Sequence, residues 1–190
     1  VAFSPDGRYA LSGDQQGQVR LWATDKSQTV RQFTAESPVY SVDYSPDGRY
    51  VAAGMDGGDV VIWDTRTESV VRRWKADDVH LNEVRFSPDG RYLVTLNAGA
   101  RNVILWDIAT GKRQRDYGQY PREGWDIAFS PDGQYLAVGN LDGIAYLYDT
   151  MTGALLRTFA GHSKNVYGVA LSPDGTSLVT VSADGRMILW

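Results

Sequence analysis

The tetrapeptide Ser-Pro-Asp-Gly occurs five times in the 190-residue chain, ending at Gly7, Gly48, Gly90, Gly133 and Gly175, with gaps of 41, 42, 43 and 42 residues. An aromatic follows each glycine fifteen or sixteen residues later, at Trp22, Trp63, Trp106, Tyr148 and Trp190. Two independent markers kept in step over the whole chain define an internal repeat of about 42 residues. A period of that length signals an array of small supersecondary units that share cores with their neighbours.

Each unit reads as four strands. A short apolar run such as Val84-Arg85-Phe86 or Ile127-Ala128-Phe129 precedes the tetrapeptide. Proline then presets the first central position of a turn, aspartate suits the second, and glycine takes a positive φ. A second strand follows, then a turn such as Asp56-Gly57-Gly58 or Asp142-Gly143. The third strand is the most apolar (Val60-Val61-Ile62-Trp63, Val103-Ile104-Leu105-Trp106) and is expected to be buried on both faces. The fourth carries Arg and Lys and closes on Phe33, Trp74, Tyr117 or Phe159. A four-stranded antiparallel sheet cannot bury both faces alone, but stacking such sheets around an axis does, which is the logic of an all-β propeller. The amphipathic fourth strand then forms the outer rim, and nineteen strands are expected.

Composition narrows the function classes. The chain has no cysteine, so thiolate zinc sites, disulfides and cysteine nucleophiles are excluded. Charge or glycine interrupts every apolar run well short of the roughly 20 residues of a membrane helix, so a soluble chain without membrane insertion is expected. No signal peptide is evident, and the compartment stays open. Phosphate-loop, His-Glu-x-x-His and calcium-loop patterns are missing, and His80 and His162 lie far apart in the repeat; neither a metal nor a cofactor is expected. The basic runs Arg72-Arg73 and Lys112-Arg113-Gln114-Arg115 fall on outer strands among acidic residues in a chain of net charge −4. A solvated rim is the better reading there than nucleic-acid binding. Asp77-Asp78 reads as a solvated loop pair.

At these residues the chain resembles the WD-repeat family. The pattern is fullest in the last module, with Gly161-His162, Leu171-Ser172-Pro173-Asp174-Gly175, Thr180-Val181-Ser182-Ala183-Asp184-Gly185 and Ile188-Leu189-Trp190. Other modules depart from it: Ala35, Asp77 and Tyr120 stand in the histidine slot, and Gln16 and Ala100 stand near the turn aspartate's place. Ala23 follows Trp22 where the family has aspartate, Tyr148 replaces a tryptophan, and His80 is three residues out of register. Six-bladed TolB-like propellers also use Ser-Pro-Asp-Gly turns. The Trp-Asp steps at Trp63 and Trp106 and the Thr-Gly turns at Gly111 and Gly153 favour the WD reading.

The resemblance implies a seven-bladed platform for proteins or peptides. It also implies a structural network of His162, Thr180 (or Ser182), Asp184 and Trp190, in which the carboxylate holds the imidazole and a hydroxyl links imidazole to indole. The same residue types could serve as a catalytic triad only with an open cleft and oxyanion donors. The structural role is expected, and no enzyme activity. Mapped onto this chain, the family's contact positions at the start of the first strand and before the turn aspartate are Pro38, Tyr40 and Met55; His80 and Asn82; Glu123, Trp125 and Leu141; Asn165, Tyr167 and Ala183; and Gln15. Tyr, Trp, Met and Asn dominate this set, a composition suited to interfaces. Two other readings stay open: a catalytic or ligand-binding propeller with its site on the axis, and a purely structural part of a larger protein.

The modules run at about 1–34, 35–75, 76–118, 119–160 and 161–190, the last without its outer strand. About four and a half blades cannot close a ring without exposing two apolar faces. The chain is therefore expected to belong to a larger propeller, its partners including the remaining blades or further copies that complete a ring.

Overall fold

The structure is a computed structural model that describes residues 1–26, 28–99 and 101–190, except for the side chain of Gln119. Its described residues form nineteen strands in five antiparallel meanders. The first sheet holds β1 (Ala2–Phe3), β2 (Tyr9–Gly13), β3 (Gln18–Ala23) and β4 (Gln28–Thr34), and the second β5 (Val39–Tyr44), β6 (Tyr50–Met55), β7 (Asp59–Asp64) and β8 (Val70–Lys75). The third holds β9 (Leu81–Phe86), β10 (Tyr92–Asn97), β11 (Asn102–Asp107) and β12 (Lys112–Gln119). The fourth holds β13 (Gly124–Phe129), β14 (Tyr135–Asn140), β15 (Ile144–Asp149) and β16 (Leu155–Ala160), and the last β17 (Val166–Leu171), β18 (Leu178–Ser182) and β19 (Met187–Leu189). Within each sheet the strands pair in sequence order, and the last sheet has three. This is a β-propeller of about four and a half blades.

The tetrapeptide makes the same turn five times. The glycine N–H donates to the serine carbonyl, at 2.9 Å in Gly48→Ser45, and all five glycines have φ between 69 and 72°. The serine does more than start the turn. In the second blade Ser45 Oγ donates to Asp47 Oδ1 at 2.6 Å and accepts the Tyr50 N–H at 2.8 Å, while Asp47 accepts the Arg49 N–H. Side chain and backbone thus close the turn and set the register of the strand that follows.

The hydrophobic cores lie between sheets. Along β7, Val61 and Trp63 join Leu11, Leu21 and Phe33 of the first sheet, whereas Val60 and Ile62 join Leu81, Val84 and Leu93 of the third. Successive side chains point to opposite faces of a strand, so each middle strand feeds two cores. From the second blade to the fourth, the second strands are at least as enclosed as the third: β10 is buried at every residue, whereas β15 has two of its six residues buried. Burial on both faces is thus a property of both middle strands. The fourth strands are the exposed rim.

The repeated aromatics meet across blades. Phe33 packs on Trp63 at 5.7 Å between ring centroids, Trp74 on Trp106 at 5.7 Å, Tyr117 on Tyr148 at 5.4 Å and Phe159 on Trp190 at 5.4 Å. The aromatic closing one blade's outer strand therefore docks on the third-strand aromatic of the next. Close approach also dictates glycine at Gly13, where a Cβ would fall 2.3 Å from Val39 Cγ1 of the next blade.

Candidate functional site

The hydrogen-bond network of the last blade has definite geometry. His162 places Nδ1 3.0 Å from Asp184 Oδ2 and Nε2 2.7 Å from Thr180 Oγ1, and Trp190 Nε1 donates to that same oxygen at 2.9 Å. The ionised Asp184 carboxylate can only accept, which puts a proton on Nδ1; in the neutral imidazole Nε2 then accepts from the Thr180 hydroxyl, whose oxygen accepts from the indole. Burial opposes the charge on Asp184, but the Ser163 and Arg186 N–H groups and His162 outweigh it and hold the carboxyl at about 2. Thr180 is fully buried, so its hydroxyl has no open side from which to attack a substrate. Ser182 lies outside this link: its hydroxyl donates to the Lys164 carbonyl and accepts the Asp184 N–H.

Other blades keep parts of the arrangement. Trp22 donates to Ser12 Oγ at 2.8 Å and Trp106 to Thr95 Oγ1 at 2.9 Å. Asp14, two residues before Gln16, accepts from the Gln16 and Gln18 N–H groups and from Arg20. In the fourth blade Asp142 accepts from the Tyr146 hydroxyl at 2.6 Å, and Tyr120 packs edge-on to Tyr146. Ala100 lies outside the described residues. Asp77 and Asp78 lie in a loop, Asp78 exposed and Asp77 partly so, and the Asp77 carboxylate accepts the Gly99 N–H, tying that loop to the neighbouring turn.

The mapped contact residues divide by exposure. Tyr40, Trp125 and Tyr167 follow the first residue or two of β5, β13 and β17, and are 56%, 45% and 44% exposed. The backbone explains this position. Each of these strands has a register shift at that point, between Val39 and Ser41, Gly124 and Asp126, and Val166 and Gly168, which leaves the aromatic outside the ladder. Tyr40 stacks on His80 with centroids 4.6 Å apart, and Trp125 meets Tyr167 edge-on at 5.5 Å. Asn82 Nδ2 donates to the Gly124 carbonyl, linking the third blade to the fourth, and Asn165 Nδ2 bonds the Tyr167 hydroxyl. Pro38, Glu123 and Leu141 are partly exposed, and Gln15 and Ala183 exposed. Met55 is not on this surface: it is fully buried with Val51 and Ala53 against the first blade. Alternation along β6 puts residues 51, 53 and 55 on one face, so the strand period itself carried that signal.

One constellation escaped the sequence reading. On the inner strands, Ser41 Oγ donates to Glu83 Oε1 at 3.1 Å, Arg85 pairs with Glu83 at 3.0 Å and with Asp43 at 3.7 Å, and Asp126 lies near Glu83. Asp43 accepts the Phe86 N–H of the next blade, and Asp126 accepts that of Val169. Burial raises all three carboxyls, with Arg85 and these N–H groups pulling Asp43 and Asp126 back in part. Burial pushes Glu83 to about 7 despite Arg85, with Asp126 and Asp43 adding to the rise. Apart from Arg85–Glu83 within β9, these contacts join residues 42 or 43 apart on neighbouring inner strands, a pairing no motif announces.

The family model described as WD domain, G-beta repeat matches residues 1–23, 27–64, 69–107, 124–149 and 153–190, and three of these stretches (27–64, 69–107 and 153–190) start on the outer strand of one sheet and run on through the first three strands of the next. The chain belongs to the WD-repeat family. A comparison with curated proteins finds no match. WD repeats are in general protein-interaction scaffolds without catalytic activity. Among the described residues no group of three or more His, Cys, Asp or Glu is arranged to hold a metal ion, and no helix is long and apolar enough to cross a membrane.

Proposed function

We propose that this WD-repeat chain is a noncatalytic platform that binds a protein or peptide segment at the end of its inner strands where Tyr40, His80, Trp125 and Tyr167 emerge. The observation that carries the reading is the half-exposure of three large aromatics at equivalent positions of three blades, directly beside buried residues such as Val39 and Val166. Rigid aromatic surface of this kind contributes most of the energy of many interfaces. The acidic inner-strand cluster does not favour a catalytic reading, because Asp43 and Asp126 are engaged in holding the next blade's N–H groups. Selecting peptides from an unbiased display library on the full chain, then measuring their affinity for Trp125→Ala and Tyr167→Ala, tests the platform. Weakening of roughly tenfold or more supports it, and unchanged affinity contradicts it.

The terminal sheets support a second proposal, that further blades or another copy complete the ring. Phe3 of the first sheet and Met187 and Leu189 of the last are 67%, 71% and 69% exposed. Sedimentation of the chain with Met187→Glu and Leu189→Glu tests it. Less self-association than in the parent supports covering of that face, and two dispersed, equally stable monomers contradict it.

A further inference from the structure

We propose that the segment bound on this platform is an acidic peptide, whose carboxylates lie along a groove over the third, fourth and last blades. This rests on the platform reading and adds the chemistry of the partner. Two open clefts of about 380 and about 390 Å³ lie side by side over these blades, with Arg122 and Leu141 lining both. Arg101 stands at one end, Arg122 in the middle and Lys164 at the other. All three are exposed, and none has a carboxylate within ion-pair distance among the described residues. Two carboxylates, Glu123 and Asp142, line the groove against three cations, and Asp142 is held by the Ile144 N–H and the Tyr146 hydroxyl.

The groove adjoins the aromatic pair. Asn165 lines the second cleft and bonds the Tyr167 hydroxyl, and Tyr167 packs on Trp125. A segment in the groove can therefore seat one apolar side chain on Trp125 and Tyr167 while its acids face Arg122 and Lys164. The turn between β6 and β7 and the loop leading into β9 carry Asp56, Asp77 and Asp78, whereas Glu36 before β5 is paired with Arg73. Complementary charge at an exposed rim chiefly sets the partner's register and discriminates against the wrong charge. Arg101 holds a non-glycine φ of 52°, an uncommon backbone conformation, at the groove's end.

The test is peptide selection from an unbiased display library on the parent chain and on a doubly reversed variant, Arg122→Glu with Lys164→Glu. Both positions are exposed, so the variant retains the fold, and circular dichroism verifies it. Parent-selected peptides enriched in Asp and Glu around one aromatic or aliphatic residue, with affinity falling roughly tenfold or more on the variant and as salt rises, support the proposal. Peptides that lose affinity for Trp125→Ala yet show no acidic enrichment overturn the acidic partner and leave the platform standing. Acidic peptides indifferent to Trp125→Ala and Tyr167→Ala overturn the platform and with it this site. An empty selection overturns both.

Discussion

Glu83 shows how far one side chain's chemistry is set by where the fold puts it. Its carboxyl sits on an inner strand between Ser41, Arg85, Asp43 and Asp126, and burial lifts it from an ordinary 4.5 to about 7. Between those values the folded chain keeps a proton that the unfolded chain has released. Stability conferred at this position is therefore greatest below about pH 4.5, falls as pH rises towards 7, and is level above that. Glu83→Gln removes the titration and keeps a partner for Ser41, while Arg85 retains Asp43. Urea midpoints should show the variant gaining on the parent from about pH 5 to about pH 8. Parallel profiles over that range would show that Glu83 does not titrate as described. Met55 and Tyr40 make the complementary point about residues. Both were mapped to the same contact surface, yet strand alternation turns Met55 into the core and a register shift turns Tyr40 outwards.

At the scale of the element, legibility follows the range of the interactions. The Ser-Pro-Asp-Gly turn was readable because its bonds close within six residues, from Ser45 Oγ to Asp47 and back to the Tyr50 N–H. The bonds that lace blades together were not: Asp43 reaches Phe86 and Asp126 reaches Val169, each 43 residues away, and nothing local marks the acceptor. The last blade's network is intermediate, since the family pattern named its residue types but left two hydroxyls open. Geometry assigns the link to Thr180 and gives Ser182 the Lys164 carbonyl instead. Thr180→Val keeps the shape but strands the imidazole Nε2 and the indole N–H, and should cost about 1–3 kcal/mol. Ser182→Ala, at a less buried site, should cost less. Chemical denaturation of the two variants decides this, and an equal or reversed order would mean that Thr180 does not carry the link.

The whole molecule is a set of shared interfaces. Four cores between five sheets and aromatic pairs bridging each junction make every blade depend on its neighbours, and at two junctions the previous blade's aspartate also holds an N–H group. Such a scaffold holds its inner-strand ends still while presenting Tyr40, His80, Trp125 and Tyr167, and ordering cost on binding is correspondingly small. Hydrogen exchange along the chain, with and without a library-selected peptide, tests that central claim directly. New protection should be concentrated at residues 38–41, 79–82, 121–126 and 163–168. Protection confined instead to the outer strands or to the Ser-Pro-Asp-Gly turns at the opposite strand ends would contradict it.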